Sequence, residues 1–121
     1  MVMKKVLVVD DSLTDLTNMS NIVTDAGYLV VTATSGQEAL DKAMLEKPDL
    51  IFLDIMMPGQ DGFRTCRQLG HHSATKEIPV VFVTGKTQKV HRLWAQMQGA
   101  KGYVTKPYTT QEILDQLTIL G

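Results

Sequence analysis

The feature that constrains this chain most is a fivefold alternation of short β-branched or apolar runs with longer stretches of helical period. Val6-Leu7-Val8-Val9, Leu50-Ile51-Phe52-Leu53 and Val80-Val81-Phe82-Val83 are apolar without a break, as strands covered by helices on both faces must be. Strand and helix in strict alternation predict an α/β fold around a parallel sheet. The runs also end alike. The first closes on Asp10-Asp11, the second on Asp54, the third on Thr84-Gly85, and Tyr103-Val104-Thr105 closes on Lys106-Pro107. Ligands of open parallel sheets bind at the carboxyl ends of the strands. Three carboxylates, a hydroxyl and an ammonium delivered to that edge make a site suited to phosphoryl groups and metal.

Between the runs the spacing places helices. Leu13, Leu16, Met19, Val23 and Ala26 recur at three- and four-residue intervals before Gly27, the pattern of an amphipathic helix with a glycine stop. Residues 28–34 form a β-branched strand. Ser35 and Glu38 read as a capping box before Ala39, Leu40, Ala43 and Met44, and Pro48 closes that helix. A turn-rich loop from Met57 to Gly62 precedes a short helix through Leu69, and a helix over 87–98 carries Val90, Leu93, Trp94 and Met97 on one stripe. Thr109 with Glu112 makes a second capping box, and Ile113, Leu114, Leu117 and Leu120 form the inner face of the last helix. Right-handed crossovers give a doubly wound, five-stranded sheet with five helices. Its order, 2-1-3-4-5, is adopted by analogy with flavodoxin-like sheets.

Composition narrows the function class. A chain of 121 residues fits one domain spanning 1–121, with enough length for a core without disulfides. Twelve Lys and Arg against thirteen Asp and Glu give no basic surplus for nucleic acid or an anionic membrane. One cysteine, Cys66, excludes an internal disulfide, and the short apolar start is neither signal peptide nor membrane span. The expectation is a cytoplasmic protein without an appended output module.

A strand-terminal aspartate alone is most often a turn residue or helix cap. Here Asp10-Asp11, Asp54-Ile55-Met56-Met57-Pro58 with Gly62, Thr84-Gly85 and Lys106-Pro107 occur in order along the whole chain. That pattern resembles the receiver domain of bacterial two-component response regulators. The resemblance implies that Asp54 accepts a phosphoryl group from a sensor histidine kinase or a small phosphodonor. It implies that Asp10, Asp11 and Asp54, with the backbone carbonyl of Met56, hold Mg²⁺. Lys106 would pair with the phosphoryl oxygens, Thr84 would donate a hydrogen bond to one, and Lys106-Pro107 would be cis. The chemistry agrees. Carboxylates are established nucleophiles in phosphoryl transfer, and two of them about 4 Å apart repel by about 4 kcal/mol at an effective dielectric of 20. Mg²⁺ removes that repulsion and keeps waters that phosphate can replace. Asp11 or Ser12 would also cap the first helix.

Moving a two-state equilibrium from 1:99 to 99:1 takes about 5.5 kcal/mol, and hydrogen bonds to a charged group contribute about 1.5–3 kcal/mol each. Thr84, Lys106 and one amide on the phosphoryl group would suffice. By resemblance, Thr84 moves inward and Tyr103 rotates into the vacated space, so that helix 4, strand 5 and helix 5 present an altered surface to a downstream effector protein. Such a protein is a monomer or weak dimer and no enzyme beyond its own phosphorylation and dephosphorylation.

The stretch from Thr84 to Trp94 with Gln98-Gly99-Ala100-Lys101 resembles a narrower group, the PilH-like stand-alone regulators of type IV pilus systems, against general chemotaxis-type regulators. Gly85 leaves room at the phosphoryl group. Trp94 is expected to pack with its stripe, His71-His72 to lie in a solvated loop, His91 on an exposed helix face, and Cys66 to be filler. An aspartyl-phosphate hydrolase of the haloacid dehalogenase type would need a second aspartate where Met56 stands, and the acidic Asp10-Asp11-Ser12 turn offers a flavin phosphate no open amides. The remaining alternatives on this fold are a phosphorylation-independent interaction module and a phosphate sink.

Overall fold

The computed structural model describes residues 3–121. Five parallel strands, β1 (Lys5–Val9), β2 (Leu29–Ala33), β3 (Leu50–Leu53), β4 (Val80–Thr84) and β5 (Gly102–Thr105), form one sheet in the order β2-β1-β3-β4-β5. Five helices alternate with them: α1 (Leu13–Asp25), α2 (Gly36–Glu46), α3 (Gly62–His71), α4 (Lys89–Met97) and α5 (Thr110–Leu117), the last running into a 3₁₀ turn at Thr118–Leu120. This is the doubly wound, flavodoxin-like sheet expected from the alternation.

Alternate residues of a strand face opposite sides, so each apolar run feeds two cores. Leu7, Val9, Ile51, Leu53, Val80 and Phe82 meet Ala39 and Ala43 of α2, Cys66 and Leu69 of α3 and Ala95 of α4. Val6, Val8, Leu50, Phe52, Val81 and Val83 meet Leu16, Met19 and Val23 of α1 and Ile113 and Leu117 of α5. Every residue of β3 and β4 is buried. The edge strands β2 and β5 are only half covered.

Polar side chains start the helices. Ser12, Ser35 and Asp61 accept from the amides of Asp15, Glu38 and Arg64, and Thr109 with Glu112 closes the full reciprocal box. Gly27 and Gly99, with φ of 98° and 89°, supply the left-handed turns after α1 and α4 that residues with a Cβ avoid.

Five expectations about the elements need correction here. Leu13 and Ala26 lie at the two ends of α1 and face solvent. Glu38 does not complete a box on Ser35: its carboxylate accepts from the Thr34 amide at 2.6 Å instead. Met44 is exposed on α2. His71 belongs to α3, and His72 caps it. Most consequential is α4, where Val90, Leu93, Trp94 and Met97 are all exposed and Ala95 alone is buried. Helical period is symmetric: it shows that residues share a face without saying which way the face points. On α4 the small Ala95 lies against the sheet and the large side chains point outward.

Candidate functional site

Parallel pairing brings the strand ends level. Val9 registers with Ala33 and Leu53, Leu53 with Phe82, and Thr84 with Thr105. The ladder continues one residue further, with Asp10 N donating to Ala33 O, Asp54 N to Val9 O and Lys106 N to Thr84 O at 2.8–3.1 Å. Asp10, Asp54 and Lys106 therefore leave the sheet together at its carboxyl edge, beside the fully buried Thr84.

Lys106 is the hub. Its ammonium donates to Asp10 Oδ2 at 2.7 Å, Asp15 Oδ2 at 2.9 Å and Asp54 Oδ2 at 3.0 Å. Asp10 and Asp54 are both almost wholly buried, and their other oxygens are also satisfied. Asp10 Oδ1 accepts from the Ser12 amide at 2.9 Å and Asp54 Oδ1 from the Met56 amide at 3.1 Å. Burial pushes the Asp10 carboxyl above its ordinary value, against the pull of Lys106 and the Ser12 amide. Burial alone would lower Lys106, yet its hydrogen bonds to Asp10, Asp15 and Asp54 hold the ammonium well above the usual lysine range. The Lys106 ammonium therefore stays charged.

Asp11 is exposed, and Asp10, Asp11 and Asp54 each offer an oxygen within 4.8 Å of the others. Ser12, not Asp11, caps α1, so Asp11 is left to the acidic cluster. The donor set is all hard oxygen, which fits Mg²⁺. Met56 is held at the cluster through its amide while its side chain points to solvent. Lys106-Pro107 is cis. Gly62 has a steric reason: a Cβ there would fall on the carbonyl oxygen of Asp54, so only glycine lets α3 start against that backbone. A Cβ on Gly85 would meet nothing within 4 Å, in keeping with open space beside Thr84.

Thr84 and Tyr103 stand one step back. Thr84 Oγ1 accepts from the Lys86 amide at 3.4 Å, and the Tyr103 hydroxyl donates to the Lys86 carbonyl at 2.7 Å. Both thus hold the β4–α4 loop, while the Arg92 guanidinium of α4 lies 4.7 Å above the Tyr103 ring. Burial raises the Tyr103 phenol, partly opposed by Arg92.

Sequence reasoning missed Asp15. It occupies the third helical position after the Ser12 cap, where an acid ordinarily reaches back to the cap's own amide. That amide is already taken by Asp10, so the Asp15 carboxylate is released to Lys106. Two acids, one two residues before the serine cap and one three residues after it, carried that signal. His91 is also half-buried rather than exposed, its Nδ1 enclosed without a hydrogen-bond partner. Trp94 packs edge-on to Phe63 at 6.0 Å and to His91 at 5.8 Å, yet remains 45% exposed.

Comparison with known proteins agrees with this geometry. The family model described as the response regulator receiver domain matches residues 6–118. Protein PilH of Pseudomonas aeruginosa is 38% identical over 112 residues, 93% of each chain. The transcriptional regulatory protein PhoP of Bacillus subtilis is 40% identical over 110 residues, 91% of this chain and 45% of its own length. Among solved structures, the chemotaxis protein CheY4 of Vibrio cholerae superposes with a TM-score of 0.93 at 34% identity, over 99% of this chain and 100% of that one.

Proposed function

The chain belongs to the family of response regulator receiver domains, and on that premise we propose that it takes a phosphoryl group on Asp54 from a histidine kinase, with Mg²⁺, and thereby changes how it binds an effector. The observation that carries the proposal is the ammonium of Lys106 shared among Asp10, Asp15 and Asp54 within 3.0 Å. Three carboxylates meet that single cation, and a fourth, Asp11, lies in the same acidic cluster. A protein gains nothing in stability from so many like charges. A site that must receive a phosphoryl group and a divalent cation requires them.

An Asp54 oxygen attacks phosphorus, and the bond from phosphorus to the donor's imidazole nitrogen breaks as the acyl phosphate bond forms. Asp10, Asp11 and Asp54, with the Met56 carbonyl, would hold Mg²⁺. The bound ion supplies neutralisation of the transferring oxygens. Lys106, already at Asp54, is within reach of the new phosphoryl oxygens. Thr84 commits its hydroxyl hydrogen to no acceptor among the described residues and is free to donate to one.

Thr84 and Tyr103 grip the same residue, Lys86, at its amide and its carbonyl, so drawing Thr84 toward the phosphoryl group displaces the acceptor of Tyr103 and the start of α4. The surface of α4, β5 and α5 is then the output. No activity on other substrates is part of this reading. The likeness to PilH supports a role in pilus-based motility or taxis.

Intact mass after incubation with Mg²⁺ and acetyl phosphate, beside Asp54→Asn, tests the assignment. A gain of one phosphoryl group by the wild type alone, abolished by chelator, is expected. No gain in either protein would favour the phosphorylation-independent module, and labelling of both would place the acceptor elsewhere.

A further inference from the structure

Near-zero net charge conceals a division of charge. Residues 62–111 hold eight of the twelve Lys and Arg but one of the thirteen Asp and Glu, leaving four basic and twelve acidic residues for the rest of the chain. That basic half is α3, β4, α4 and β5. Apart from Lys106, none of its lysines or arginines is ion-paired among the described residues. The same region exposes Val90, Leu93, Trp94 and Met97 on α4 and Met56 beside it.

Two concavities open along the seam between α3 and α4. The one nearer Asp54, about 560 Å³, has Met56, Pro58, Phe63 and Trp94 in its walls, with Lys86 and Asp61 balancing each other at its margin. The other, about 420 Å³, lies a turn further along α4 at Met97, where Arg67, Lys76 and Lys101 outnumber the one acid, Glu77. Arg67 is steered across the seam by its hydrogen bond to Gln98 at 3.0 Å.

We infer that the α3–α4 seam is a docking groove for an acidic, amphipathic helical segment of a partner protein, its apolar ridge entering the concavity at Trp94 and its carboxylates meeting Arg67, Lys76 and Lys101 at the other. Charge complementarity selects the occupant, and concave apolar walls suit a side-chain ridge better than a bilayer or a phosphate backbone. The groove opens on the α3 side of α4, whereas Arg92, Gln96 and Tyr103 line the α4–β5 side. The inference deepens the reading of the chain as a regulator acting on a partner, and rests on that reading for its biological meaning.

Trp94 is the sole tryptophan and reports directly. The unphosphorylated protein is titrated with two synthetic helical peptides sharing one Leu/Phe stripe, one with a glutamate polar face and one with a lysine face. The glutamate peptide is expected to shift Trp94 emission to the blue and to saturate, with affinity falling as salt rises. Lys76→Glu with Lys101→Glu, both exposed and both lining the groove, is expected to weaken it at least tenfold. An equal response to both peptides, or none, overturns the inference. So does a stronger response to phosphatidylglycerol vesicles or to DNA, or a rise in mass by light scattering without peptide, which would make a second copy the occupant. Because no phosphoryl group is involved, each of these failures leaves the Asp54 assignment untouched.

Discussion

Replacing Lys106 with methionine keeps the side chain's length and removes its charge, and the structure sets the size of the effect. The ammonium lies 2.7, 2.9 and 3.0 Å from Asp10, Asp15 and Asp54. The Asp15 side chain is 44% exposed, so its share is that of a surface pair, about 0–1 kcal/mol. Asp10 and Asp54 are buried, and stripping a buried pair of its partner costs about 3–5 kcal/mol because the remaining charge is left uncompensated. The variant is therefore expected to lose about 4 kcal/mol in the absence of Mg²⁺. With a urea slope of about 2 kcal/mol/M, that moves the midpoint by about 2 M. A divalent cation offers the same neutralisation from the other side of the cluster. Mg²⁺ should add about 2.7 kcal/mol to the variant at a hundredfold excess over its dissociation constant, and less to the wild type, where Lys106 already neutralises the cluster. Paired urea melts in EDTA and in saturating Mg²⁺ make the measurement. Equal losses in both would refute the reasoning, since they would mean that Lys106 acts by packing rather than as a counter-charge.

Three other outcomes follow from the same geometry. Asp11→Asn removes one carboxylate from an overcrowded, exposed edge and should raise stability by about 0.5–1 kcal/mol without Mg²⁺, while lowering Mg²⁺ affinity at least tenfold in a metal titration. Gly62→Ala puts a methyl group on the Asp54 carbonyl and should cost about 1–3 kcal/mol in thermal melts, with slower phosphorylation as Asp54 is displaced. Burial pushes the Cys66 thiol up to about 11 from 9.0, so its neutral form stabilises the fold fully below pH 9.0. That contribution falls by about 2–3 kcal/mol as pH rises through 11. Denaturant melts of wild type and Cys66→Ala across that window should diverge in slope, and parallel curves would exclude the thiol.

The sheet was legible because each strand carries its own boundary: an apolar run can pair, and the aspartate, threonine or lysine that follows it marks the exposed edge. The same residues were the site, so Asp10, Asp54, Thr84 and Lys106 came out together. What failed were statements about direction and competition. The stripe on α4 has helical spacing, but outward and inward faces share that spacing, and only Ala95 against the sheet decides between them. Glu38 and Asp15 both sit three residues past a serine cap. Which amide or ammonium each carboxylate takes depends on whether a neighbour distant in sequence has already filled the alternative. The exposed Trp94 and the cations of α3 and α4 were hidden by a net charge that averages over opposed halves.

The three hydrogen bonds of Lys106 span 52, 91 and 96 residues of chain. Closing a loop of nearly the whole domain costs on the order of 4 kcal/mol of chain entropy, and nothing local helps to form it. The acidic pocket therefore cannot exist on a nascent or partly unfolded chain: α1, β1, β3, β4 and β5 must all be home before the ammonium finds its carboxylates. Competence to receive a signal is in this sense a proof of complete folding. On the function proposed above, a truncated or destabilised copy falls silent rather than sending a wrong message.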